Sequence, residues 1–216
     1  MAISGSIHRF GAVFGVLAFA GLSQAALLNV GSSLFPLAAE PYNGSSPLAT
    51  ITSSFSSSLH SGTITTTVYA NDTLNPLGGL TFVYRVSVDS SSNSALNRVT
   101  LNGFGTSQTD ASWFSLLATP TANQPVAADR DSADVVGFSF LPLLPTYSRL
   151  NPGSTSADLV VQTNALTFNN SIASMIGGNV SQAAIYAPFN VIPTPGASAL
   201  TAAGLVLAAR RRRIAR

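Results

Sequence analysis

Between residues 26 and 190, hydrophobic and polar positions tend to alternate, and no stretch of useful length keeps the spacing of an amphipathic helix. The clearest run is residues 80–89 (LTFVYRVSVD). Leu80, Phe82, Tyr84, Val86 and Val88 share one side, and Thr81, Val83, Arg85, Ser87 and Asp89 the other. Successive strand side chains point to opposite faces, so this run predicts a strand with one buried face. Residues 62–70 (GTITTTVYA) precede it, rich in β-branched side chains, with Ile64, Thr66 and Val68 on one face. The connection 71–79 is dense in turn formers and predicts a long-looped hairpin. Residues 90–94 read as the next turn, before a strand over 96–104 that ends at Asn102-Gly103. Further strands are expected at 51–59, 135–140, 157–163 and 180–187, with Pro- and Ser-rich breaks at 120–125, 142–145 and 151–156. Short strands punctuated by turns predict an all-β, sandwich or jelly-roll-like body over residues 26–190. About 165 residues can bury a real core, and Phe82, Tyr84, Phe138, Phe140 and Trp113 are its expected aromatic members. No internal repeat of fixed period is present, which argues against a propeller or solenoid.

Both ends break the alternation. At the start, Arg9 precedes the apolar run 10–22 (FGAVFGVLAFAGL), and Ser23-Gln24-Ala25 places small residues where signal peptidase needs them. Residues 1–25 therefore read as a secretory signal-peptide helix, cleaved after Ala25. A helix over that run spans only ~20 Å, short of the ~30 Å hydrocarbon core that a permanent anchor must cross. At the other end, Pro193, Thr194, Pro195 and Gly196 precede the apolar segment 197–209 (ASALTAAGLVLAA) and then Arg210, Arg211, Arg212 and Arg213. A helix can begin only after Pro195. It predicts a single short membrane helix whose Arg cluster stays cytoplasmic while the body lies outside. Bilayer thinning and snorkelling Arg stems can accommodate so short a span. Such a span suits a transient hold.

This arrangement resembles a PEP-CTERM sorting signal, with Thr194 standing where the family's Pro-Glu-Pro motif has Glu. The resemblance covers residues 191–216 and implies recognition by an exosortase, a membrane-embedded transpeptidase-like protease of Gram-negative-type bacteria. It further implies cleavage near Pro193–Gly196 and delivery to the cell surface or extracellular matrix. A plain single-span anchor with an Arg stop is the alternative. The stretch from Val68 to Tyr84 resembles the variable β-rich ectodomains that accompany such signals, and no assigned activity follows from that likeness.

Composition sharpens the picture. The 216 residues include no Lys and no Cys, and only 8% are charged, against about 25% in ordinary soluble proteins. The formal charge of +2 comes from the tail. The body keeps Arg85, Arg98, Arg130 and Arg149 against all eight acids, so it is weakly acidic and carries no footprint for nucleic acid. Absence of Cys excludes disulfides, thiolate-bound zinc and thiol catalysis. Strand edges lack the Lys that discourages edge pairing. Self-association is therefore a hypothesis, and sedimentation showing a monomer at high concentration would remove it.

Catalytic machinery is scarce. His60 is the one His outside the leader, and no G-x-S-x-G elbow exists. A solvated or half-buried loop is the expected setting of His60. No catalytic residue and no cofactor are assigned. Asp129, Asp131 and Asp134 fall within six residues and predict a solvated loop before the strand at Val135, with a structural Ca²⁺ site as the alternative. Glu40 is the only Glu, which leaves a secreted hydrolase using Asp pairs as the least favoured reading. Trp113-Phe114 is the candidate sugar-stacking pair. Asn43, Asn71, Asn169 and Asn179 begin N-x-[ST] sequons, as expected by chance in a Ser/Thr-rich chain. The function expected is a non-enzymatic structural or adhesive surface protein, and the resemblance to PEP-CTERM proteins implies exopolysaccharide as its contact. A carbohydrate-binding module is the alternative.

Overall fold

The computed structural model describes residues 27–38, 46–115, 123–142 and 149–189, and every regular element among them is a β-strand. In chain order these are β1 (Ser32–Leu34), β2 (Ala49–Ser56), β3 (Ser61–Tyr69), β4 (Thr81–Val88), β5 (Arg98–Asn102) and β6 (Thr109–Phe114). They continue with β7 (Ala127–Ser132), β8 (Val135–Ser139), β9 (Asp158–Thr163), β10 (Phe168–Ile176) and β11 (Val180–Pro188). Two antiparallel sheets result: a five-stranded one in the order β2-β3-β4-β9-β6, and a six-stranded one in the order β1-β7-β8-β5-β10-β11. The helices expected near residues 10–22 and 197–209 lie outside the described residues.

The sheets face each other across one core, sandwich-like. Ile64 and Val68 of β3, Phe82, Tyr84 and Val86 of β4 and Leu159 and Val161 of β9 meet Val99 and Leu101 of β5, Phe138 of β8 and Ile185 of β11. Phe82 and Tyr84 are fully buried, each worth about 2 kcal/mol of hydrophobic stabilisation. Phe82 also packs edge-on to Phe104 at 6.3 Å between ring centroids. The Tyr84 hydroxyl donates to the Tyr186 carbonyl oxygen at 2.8 Å, which pins one sheet to the other. Burial raises the Tyr84 pKa well above its ordinary value, so this donor stays protonated.

The expected strands at 51–59, 62–70, 80–89, 96–104, 135–140, 157–163 and 180–187 correspond to β2, β3, β4, β5, β8, β9 and β11. The 71–79 connection joins β3 to β4 as an antiparallel hairpin. Four strands were not expected: β1, β6, β7 and β10. The run 129–134, expected as a solvated loop, instead enters β7, with Asp129 and Arg130 buried. Trp113, expected in the core, is only half-buried on β6, and its indole N–H donates to the Pro36 carbonyl oxygen at 3.0 Å.

Residues 27–38 link the two sheets. Leu28 N–H donates to the Thr109 carbonyl oxygen at 2.9 Å, β1 then pairs with β7, and Trp113 N–H donates to the Leu37 carbonyl oxygen at 3.2 Å. This segment flanks β6, whose edge would otherwise present unpaired backbone groups. The chain enters and leaves the body at the same pole. Leu28 meets Thr109, Arg130 joins Thr109 to Phe104, and Gly103 lies against Ala187, two residues before Phe189.

Candidate functional site

The outward face of the five-stranded sheet is divided into rows by strand register. In one row Thr81 of β4 stands opposite Gln162 of β9, and Gln162 stands opposite Asp110 of β6. The loop that enters β4 folds back over this row. Asp72 Oδ1 accepts from Leu74 N–H at 3.0 Å, and Asn75 Oδ1 accepts from Leu77 N–H at 2.9 Å; both turns build the loop from its own side chains. Asn75 Nδ2 also donates to the carbonyl oxygens of Gly79 and Thr163, at 2.9 and 3.1 Å. Gly79 is required for this seat, because a Cβ there would lie 2.5 Å from the Ala165 carbonyl oxygen.

Asp72 thereby hangs over the row. Its Oδ2 accepts from Thr81 Oγ1 at 2.7 Å and from Gln162 Nε2 at 3.2 Å. Gln162 Nε2 donates a second time, to the Leu74 carbonyl oxygen at 3.2 Å. Both neighbours are acceptors, so they fix the amide nitrogen, and not its oxygen, on this side. Thr81, Asp72 and Gln162 are 0%, 6% and 8% exposed. Asp110 is buried as well, and its Oδ2 has no hydrogen-bond partner. Desolvation pushes the Asp110 pKa up to about 6 against the pull of the Ala111 backbone N–H.

The following rows on this face are more ordinary. Val83 and Val160 come next, both buried, and beyond them Arg85 grips Asp158 in a two-pronged pair at 2.6 and 2.8 Å. Towards β2 and β3 the face carries only hydroxyls in pairs: Thr50 with Thr67, Thr52 with Thr65, Ser54 with Thr63. Thr52 and Thr65 hydroxyls lie 2.9 Å apart.

On the outward face of the six-stranded sheet, Arg98 of β5 reaches across β8 to Asp129 of β7. Nη1 donates to Oδ2 at 2.5 Å, and Nη2 donates to Oδ1. The hydrogen bond to Asp129 raises the Arg98 pKa despite partial burial. Gly137 makes the crossing possible, since a Cβ there would sit 2.3 Å from Arg98 Nη2. Arg130, beside it in sequence, points the other way and donates to the carbonyl oxygens of Phe104 and Ala133 and to Thr109 Oγ1. Burial lowers its pKa, and Asp134 opposes that shift.

The three carboxylates considered for calcium do not gather into one ligand set. Asp129 belongs to Arg98, exposed Asp131 reaches the same guanidinium at 3.3 Å, and Asp134 accepts from Gly105 N–H at 3.1 Å. Among the described residues no group of three or more metal-ligating side chains could hold a metal ion. His60 is 1% exposed, not solvated. Its Nε2 lies 2.9 Å from Ser181 Oγ, and its ring packs edge-on to Phe55. Two open troughs adjoin on β5, β10 and β11. One, about 360 Å³, is lined by Asp134, Asn169, Asn170 and Phe189 among others; the second, about 400 Å³, adds Asn102 and Gln182. Ala25, Pro193, Thr194, Pro195, Gly196 and Arg210–Arg213 lie outside the described residues, as does Glu40.

The fold defines a class, a two-sheet antiparallel β protein with both described ends at one pole. No family model, curated protein or solved structure matches the chain. The sequence alone singles out no residue of the Thr81–Gln162–Asp110 row as a site. The signal was there in part: polar side chains at 81, 110 and 162 with a carboxylate in the preceding loop. Only the pairing of β4 with β9 and β9 with β6 brings them together.

Proposed function

We propose that this chain is an exported cell-surface or extracellular-matrix protein. Its jelly-roll-like body acts structurally or adhesively, without substrate turnover. Signal peptidase removes residues 1–25, the helix over 197–209 holds the body briefly at the membrane, and an exosortase cuts near Pro193–Gly196. The observation that carries this reading is the shared pole of Leu28 and Phe189. Leader and tail then attach at one end, which turns the opposite pole towards the surroundings. Burial of His60 supports a body without an exposed imidazole base. Cell fractionation tests the sorting role. The wild-type body is expected outside the cell, released from the membrane, and replacement of Arg210–Arg213 by Ala is expected to disrupt its retention and processing. Equal processing of the two forms would contradict the exosortase role.

A second reading, a carbohydrate-binding body, is favoured by the amide-lined troughs. Asn102, Asn169, Asn170 and Gln182 offer donors and acceptors to sugar hydroxyls, and exposed Phe189 offers a stacking surface. Binding to neutral polysaccharide that is lost in Asn170→Ala and Gln182→Ala, and kept in Trp113→Ala, would establish it. Loss only in Trp113→Ala would place the site on β6 instead.

A further inference from the structure

We propose that Thr81 and Gln162 join through an intramolecular ester, formed by the folded chain on itself, that staples β4 to β9. Four observations converge on it. The two residues are direct cross-strand partners on one face, a position that brings Cβ atoms to about 5 Å. The Thr81 hydroxyl donates to a buried carboxylate, Asp72 Oδ2, at 2.7 Å, which is how a general base holds a nucleophile. The amide nitrogen of Gln162 donates to the same oxygen at 3.2 Å, so nucleophile and leaving group lie within one hydrogen bond of one base. All three side chains are more than nine-tenths buried, which excludes the water that would otherwise compete.

The step balances without any other reactant. Thr81 Oγ1 attacks Gln162 Cδ, and its proton passes to Asp72 Oδ2. The tetrahedral carbon then expels Nε2, which takes that proton from Asp72. The Oγ1–Cδ bond forms, the Cδ–Nε2 bond breaks, and one ammonia leaves; Asp72 returns to its starting state. Asp110, directly opposite Gln162 on β6, places a second carboxyl beside the amide. Its raised pKa keeps part of that carboxyl protonated near neutral pH, where it is a donor for a developing oxyanion. The chain has no Cys and no Lys, so neither a disulfide nor a Lys isopeptide bond can perform this stapling.

This inference does not depend on the sorting tail, and a peptide map of the folded full-length chain tests it. Trypsin cuts this Lys-free chain at Arg alone. Thr81 falls in the peptide ending at Arg85, and Gln162 in the peptide beginning at Leu150. The expected result is a joined species of these two peptides, lighter than their sum by one ammonia and separated by hydroxylamine. The joined species should be absent in Thr81→Val, which keeps the shape and removes the nucleophile, and in Asp72→Asn. Separate peptides of full mass from folded wild-type protein would overturn the proposal, whether or not either variant folds. Loss of ammonia without joining would overturn it too.

Discussion

The outward face of the five-stranded sheet has two halves that share a backbone and differ in everything else. Over β2 and β3 it is a ribbon of Thr and Ser, half-buried or exposed, whose hydroxyls bond to each other or to solvent. Over β4, β9 and β6 the row beneath the 71–79 loop is buried, and with Asp72 it holds two carboxylates, an amide and a hydroxyl. Covering makes the difference. The 71–79 loop lies on the second half and leaves the first open. A polar side chain costs little in water, whereas under a loop it must find a partner or change its protonation. A Thr hydroxyl is therefore open to water over β2 and β3, whereas that of Thr81 is held by a buried carboxylate under the loop.

Substitutions should separate the halves by size of effect. Asp72→Ala removes the acceptor of three donors, so the Thr81 hydroxyl loses its carboxylate and Gln162 Nε2 keeps only the Leu74 carbonyl oxygen. It should cost about 3 kcal/mol, a fall in Tm of roughly 10 °C for a body of this size. A fall of only a degree or two in calorimetry would mean that the loop does not seal the row.

Arg98→Ala tests whether a covered ion pair on the other sheet behaves alike. It strands Asp129, which is 7% exposed, and should cost about 2 kcal/mol. Chemical denaturation should show the midpoint fall with unchanged slope. Gly137→Ala, which pushes the guanidinium aside, should cost less than Arg98→Ala.

Asp110→Asn should act in the opposite direction. The folded-state pKa of about 6 lies above the ordinary carboxyl value of 3.8. Between those values the folded chain binds more protons than the unfolded one, so wild-type stability should rise as pH falls from about 7 towards 4. The Asn variant should be about 1–2 kcal/mol more stable than wild type near pH 7.5, allowing for residual solvent access. That advantage should vanish near pH 4, and melting curves across this range check the sign. Smallest of all, Thr52→Ala on the open ribbon should change stability by less than about 0.5 kcal/mol. A larger loss would mean that the hydroxyl pairs also carry the fold.

Legibility followed the same division. Where one face is apolar and the other wet, as in β3 and the second half of β4, alternation located the strand to within a residue or two. It failed for β7, whose sequence AADRDS looks like a loop because its burial is of paired charge rather than hydrocarbon. It failed for β10 (FNNSIASMI), whose core contribution is the small Ala173 together with Met175, and for β1, which is three residues held by the pairing of β7. Trp113 drew attention as the sole Trp, but β6 lies at the sheet's edge and offers it only partial cover. Beyond the β3–β4 hairpin, strand order could not be read. Thr81 and Gln162 are 81 positions apart in sequence, and only the antiparallel pairing of β4 with β9 makes them neighbours.

The proposed delivery outside the cell is the claim that joins the β body to its tail, and the intact mass of the protein recovered from its native host tests it directly. The predicted species begins at Ala26 and ends between Pro193 and Gly196, without the Arg cluster. A membrane-bound species that still carries Arg210–Arg213 would contradict exosortase processing and leave a plainly anchored β body.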